Sequence, residues 1–103
     1  MSDFENKYLE KTRSIVLKYI NKDSIEVFLF GSRAINTNSK YSDIDIGLMA
    51  DKKIGRSTIL KINNEIEESR VPFKVDIIDF FDLDGKFKKI ALKGRIIWNQ
   101  KKS

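Results

Sequence analysis

Phe28-Leu29-Phe30-Gly31-Ser32, followed ten residues later by Asp43-Ile44-Asp45-Ile46, is the stretch whose reading decides the fold. It begins within Ile25–Phe30, Ile-Glu-Val-Phe-Leu-Phe, a run rich in β-branched and aromatic residues. Such a run predicts a strand buried on both faces. Gly31 and Ser32 break it, and Ser32-Arg33-Ala34-Ile35 is expected to open a short helix with Ser32 near its cap. Asn36–Tyr41 is polar and reads as a loop. Asp43–Ala50 then sets Asp43, Asp45 and Gly47 against Ile44, Ile46 and Leu48. That period of two predicts a strand with one polar and one apolar face.

Outward from this centre the pattern alternates. Phe4, Tyr8, Ile15 and Tyr19, with Leu9, Val16 and Ile20, mark one side of a helix over Asp3–Lys22. Ile59, Leu60, Ile62 and Ile66 predict a second helix over Arg56–Arg70, ended near Pro72. Phe73–Phe80 reads as a strand, Leu83–Lys93 as a helix and Arg95–Asn99 as a last short strand. The expected class is α/β (α+β): a single domain over residues 1–103, a mixed sheet, helices packed on one face and the functional site on the other.

Composition narrows the chemistry. The chain has 103 residues, 41% hydrophobic and 34% charged, the balance of a soluble globular domain. It has no cysteine and no histidine. Thiolate or imidazole metal sites, a cysteine nucleophile and a Ser-His-Asp triad are therefore excluded. Chemistry is left to carboxylates, hydroxyls, cationic side chains and backbone groups, and carboxylates favour hard cations such as Mg²⁺ or Mn²⁺. No apolar run is long enough to span a bilayer and Met1–Ser14 lacks the features of a signal peptide, so a cytoplasmic protein without membrane attachment is expected. The net charge of +5 comes mostly from Lys86, Lys88, Lys89, Lys93, Arg95, Lys101 and Lys102. A basic tail of this kind is either a solvated helix face with a lysine end or an attraction to phosphates or an acidic partner. Phe80, Phe81, Trp98 and Lys101 offer a candidate contact surface, although Trp98 itself is expected to pack in the core.

Aspartate is depleted in strands, yet Asp43, Asp45 and Asp76 all stand in strand-like contexts. Asp43 and Asp45, two apart, share a strand face, and Asp76 opposes Val75 and Ile77 in a later strand. If the two strands pair, about 4.8 Å apart, the three carboxylates converge. Two bare carboxylates about 4 Å apart repel by roughly 4 kcal/mol at an effective dielectric of 20. Such a group is useful when it holds one or two divalent cations. Gly31 and Ser32 add free backbone N–H groups and a hydroxyl suited to phosphates. Gly47 would leave space beside the metals or simply be a tolerated strand glycine.

Phe28–Ala34, Ser42–Ile46 and Lys74–Ile78 together resemble the signature of the DNA polymerase β nucleotidyltransferase superfamily, most closely its minimal nucleotidyltransferases encoded beside HEPN-domain proteins. Asn36 stands where many such relatives have glycine, and asparagine tolerates the left-handed conformation. The resemblance implies a polymerase-β-like fold and transfer of a nucleoside monophosphate from an NTP to a hydroxyl. Asp43, Asp45 and Asp76 would hold two Mg²⁺ ions, with Mn²⁺ as a substitute, and Asp76 would help take the proton. Gly31, Ser32, Arg33 and Ser42 would bind the nucleotide. It further implies an antitoxin that adds AMP from ATP to a tyrosine of a HEPN toxin, within a homodimer or hetero-oligomer and without direct nucleic-acid binding. Two other functions fit the residues less well: a binding module that neutralises a HEPN partner by covering it, and nucleotide addition to an RNA end.

Overall fold

The computed structural model describes residues 2–102. The elements are α1 (Asp3–Lys18), β1 (Glu26–Phe30), β2 (Ile44–Met49), α2 (Arg56–Glu68), β3 (Val75–Asp79), α3 (Gly85–Leu92) and β4 (Ile96–Asn99). The four strands form one sheet in the order β3-β2-β1-β4. β1 runs antiparallel to both β2 and β4, while β2 and β3 are parallel and are joined through α2. A parallel pair needs such a crossover, because a tight hairpin can join only antiparallel strands.

β1 is central and all five of its residues are buried. Val27 and Leu29 join Ile44, Ile46 and Leu48 of β2 in a core closed by Leu9, Ile15 and Val16 of α1 and Ile62 and Ile66 of α2. Phe28 and Phe30 point the other way and form a second core with Phe80 and Ala91. The Phe80 ring meets the other two edge-on, with centroids 4.9 Å apart for Phe28–Phe80 and 5.1 Å for Phe30–Phe80. α1 and α2 therefore share the expected layer, but α3 lies on the opposite face. A central strand that is apolar on both sides needs cover on both, and α3 supplies it through Ala91 and Leu92.

α1 starts on a capping box: the Ser2 hydroxyl accepts from the Glu5 N–H, and the Glu5 carboxylate accepts from the Ser2 N–H. The expected helix after Ser32 is a single turn instead. Ala34 and Ile35 donate to the Gly31 carbonyl, Thr37 donates to that of Ser32, and Asn36 at φ 61° turns the chain out of helical geometry. Phe80, expected at the surface, is fully buried. Trp98 packs against the α1–α2 core as expected, and Lys101 pairs with Asp51 at 3.0 Å. Of the proposed contact surface, Phe81 alone remains an exposed large hydrophobic residue. No helix among the described residues is long and apolar enough to cross a membrane.

Candidate active site

The site face is laid out by strand register. Phe30 of β1 pairs with Asp45 of β2, and Asp45 pairs in turn with Asp76 of β3. Side chains in register on neighbouring strands leave the same face of the sheet. Asp45 and Asp76 thus stand side by side at the point where β1 ends in Gly31 and Ser32. All four residues line one cavity of about 540 Å³.

Gly31 is the tight point of this arrangement. Its φ of +76° lies in the left-handed region, and a Cβ built there would collide with Oδ2 of Asp45. Glycine is required twice, by the backbone and by the carboxylate that approaches it. Gly47 has a different role from either one expected. The space above it is filled by the rings of Phe28 and Phe80, so this glycine makes room for the second core and leaves no gap beside the carboxylates.

Asp43 lies one residue before β2 and faces a neighbouring cleft lined also by Tyr41, Phe73 and Lys74. It remains close enough to act on Asp45. Burial, then repulsion from Asp76, then repulsion from Asp43 push the Asp45 carboxyl above the usual aspartate range, against the opposing charges of Arg33 and Lys74. Lys74 Nζ lies 4.0 Å from Asp76 Oδ1. The geometry is a carboxylate pair with a third carboxylate flanking it; among the described residues no three acidic groups close into a metal cage. The donor set still suits a hard divalent cation. Mg²⁺ is commonly held by one or two carboxylates together with substrate phosphates and water. A cation between Asp45 and Asp76 would also relieve the repulsion that raises the Asp45 pKa.

Two of the residues expected to bind nucleotide have other employment. Arg33, expected among the nucleotide-binding residues, is 1% exposed. Its Nη1 donates to Glu5 Oε2 at 2.8 Å, and its Nε and Nη2 donate to the Ser42 carbonyl at 3.1 and 2.6 Å. The guanidinium also stacks over the Phe73 ring, 4.5 Å from its centroid. The Ser42 hydroxyl accepts from the Ser39 N–H at 3.0 Å and closes the loop locally. Neither side chain lines the cavity that holds Ser32, Asp45 and Asp76.

The far wall of that cavity was not foreseen in the sequence. It is α3 and its end: Phe87, Ile90 and Lys93. Phe87 and Ile90 are 50% and 74% exposed and give the cavity an apolar wall. Lys93 is the cationic side chain of the cavity. Its position is set by Gly94, whose φ of +77° turns the chain and packs it closely on Ile35. The spacing of Phe87 and Ile90, three apart, puts both along one face of α3 and was available as a signal, while Lys93 follows as the extended residue that caps the helix.

This layout has counterparts among known proteins. A protein of Haemophilus influenzae named probable protein adenylyltransferase MntA is 27% identical over 75 residues, which cover 73% of this chain and 66% of that protein. A chain of a toxin–antitoxin complex crystallised with AMP-PNP superposes with a TM-score of 0.68 at 19% identity, over 86% of this chain and 70% of that one. A chain of the complex between a tri-AMPylated HEPN toxin of Shewanella oneidensis and MNT antitoxin gives 0.59 at 14% identity, with the same coverage. At such identities the two structures establish a shared fold. The family described as Polymerase beta, Nucleotidyltransferase matches residues 10–103, nearly the whole chain. With the strand register and the Gly31–Ser32 turn in place, the chain belongs to the polymerase beta nucleotidyltransferase family.

Proposed function

We propose that this chain transfers AMP from ATP to a hydroxyl group of a partner protein, the hydroxyl oxygen bonding to the α-phosphorus as pyrophosphate leaves, with a tyrosine of a HEPN toxin as acceptor, and thereby acts as an antitoxin. The observation that carries this reading is the in-register pair Asp45–Asp76 facing the Gly31–Ser32 turn within one cavity. The names of the similar proteins, an adenylyltransferase and the members of HEPN–MNT complexes, support the acceptor class. The reaction takes place in the cytoplasm.

Each residue has a part that follows from its position. The Gly31 backbone and the Ser32 hydroxyl hold the outer phosphates, and Lys93 adds positive charge from the opposite wall. Asp45 and Asp76, with Asp43 flanking them, would hold Mg²⁺, for which Mn²⁺ could substitute; the chemistry a bound divalent cation supplies is charge stabilisation on the attacking oxygen and on the leaving pyrophosphate. Asp76, on the edge strand β3, accepts the proton of the attacking hydroxyl. Phe87 and Ile90 offer an apolar surface to the nucleoside. The acceptor chain, seated against this cavity, supplies the cover that excludes water.

The test uses the purified chain, its HEPN partner, ATP and Mg²⁺. The partner should gain mass in steps of one AMP, and Asp45→Asn or Asp76→Asn should abolish the gain. Toxin inhibition that persists in both variants, with no mass gain of the partner in the presence of the native chain, would instead identify a module that neutralises by covering.

A further inference from the structure

From the placement of Arg33 we infer that it is a positioning residue: its guanidinium fixes the phosphate turn relative to the carboxylates of β2, so that nucleotide and metal bind as a unit. This rests on the site reading above and adds to it a residue that touches neither substrate nor metal.

Arg33 directly follows Gly31–Ser32, and Ser42 directly precedes Asp43. Between them runs a polar loop that crosses the site edge without a helix or strand. Two N–H groups of Arg33 converge on the Ser42 carbonyl, at 3.1 and 2.6 Å. They tie the two ends of the loop directly to each other. Glu5 anchors the guanidinium from α1. One of its oxygens serves the capping box with Ser2, while the other takes Arg33 at 2.8 Å and Asn38 of the loop at 3.4 Å. Phe73, two residues before β3, carries the stacked guanidinium on its ring. One buried cation thus joins α1, the phosphate turn, the approach to β2 and the approach to β3.

The arrangement is costly to keep as a purely structural device. A buried ion pair can often be replaced by apolar packing without loss of stability. A planar fork that reads a carbonyl and a carboxylate at once supplies direction, which an apolar side chain cannot. Direction is what a site needs when phosphates are held by one segment and metals by another.

The test is a linkage measurement by calorimetry on the full chain. ATP affinity is measured with Mg²⁺ and with EDTA, in the native chain, in Arg33→Lys and in Glu5→Gln. Arg33→Lys keeps the positive charge and loses the fork. The native chain should bind ATP at least tenfold more tightly with Mg²⁺. In Arg33→Lys the Mg²⁺ advantage should fall below threefold, while affinity in EDTA stays within twofold of native. Glu5→Gln, which leaves both bonds to Ser42 in place, should lose part of the advantage and serves as the second variant if Arg33→Lys does not fold. Circular dichroism confirms the fold of each. A native advantage that survives in the folded variants overturns the positioning role. A native chain with no Mg²⁺ advantage overturns the site reading itself, and the inference with it.

Discussion

Replacing Gly31 with alanine should separate stability from function. The stability cost has a clear source: φ is +76°, and an L residue in that region loses about 1–2 kcal/mol relative to glycine. The collision with Asp45 Oδ2 adds less than its closeness suggests, because the atom met is the end of a side chain that can rotate away. The fold should therefore survive with a urea midpoint lower by about 1 M, at a slope of roughly 1–2 kcal/mol per molar for a chain of this size. Activity should suffer far more. The rotation that relieves the clash takes the Asp45 carboxylate out of register with Asp76, and a displacement of about 1 Å at a reacting centre costs on the order of 10²-fold in rate. The assay is AMP transfer to the HEPN partner under conditions where both proteins are folded, beside urea unfolding followed by Trp98 fluorescence. Gly47→Ala is the control. Its Cβ would meet the Phe28 and Phe80 rings, so overpacking should cost about 1–3 kcal/mol, with transfer per folded molecule near native. If Gly31→Ala lowers transfer only in proportion to the unfolded fraction, Asp45 is not the group whose position matters.

Other outcomes follow from the same geometry. Asp45→Asn should raise the urea midpoint of the metal-free chain at neutral pH while abolishing transfer. The raised pKa means that the folded state holds the proton more tightly than the unfolded state, so the Asp45 contribution favours folding in acid and fades as pH climbs from about 4 through the raised value. For the same reason Mg²⁺ should raise the thermal midpoint of the native chain more than that of Asp45→Asn, read by scanning calorimetry. Lys93→Met should weaken Mg²⁺-dependent ATP binding by about tenfold, a loss of roughly 1.4 kcal/mol, and flatten its salt dependence. Glu65 has its pKa lowered by hydrogen bonds from Lys18 and then Tyr19, a contribution present above the unfolded value and lost as pH falls through the folded one. Glu65→Gln should therefore make the midpoint vary less between about pH 5 and pH 3, measured by urea unfolding across that range.

The fold was legible where one periodicity dominated. Ile25–Phe30 and Asp43–Ala50 read correctly because alternating or continuous apolar character survives any tertiary context. The approach of Asp45 to Asp76 was legible on the condition that their two strands pair, whereas Asp43, expected to converge with them, precedes β2 and lines the neighbouring cleft. The fate of Arg33 was not. An arginine after Gly-Ser looks like a phosphate ligand, and only the positions of Glu5 and Phe73, distant in sequence, show it turned inward. Phe80 misled for a similar reason: its ring fills the space left by Gly47 and Phe28, and neither neighbour is near it in the chain. The side on which α3 packs was hidden because a short helix with one buried residue carries too little pattern to choose a face.

The division of labour in this small domain follows from what strands and loops can each hold. Strand register is a strong constraint, because a slip of one residue would move Asp45 into the apolar core and Ile44 or Ile46 into the site. The repulsive pair Asp45–Asp76 is therefore placed where the sheet can force it together. Phosphates need convergent N–H groups, and a strand that spends its N–H groups on its neighbours cannot provide them; they must come from the turn after β1. A site built half on a sheet and half on a turn has one weak joint, the loop between them. That joint is where the chain commits its buried guanidinium, so the most informative single substitution in the molecule is at Arg33 rather than at any of the three aspartates. Loss of an aspartate reports that charge is needed, whereas loss of the fork, with its charge kept, reports whether the two halves must be aligned.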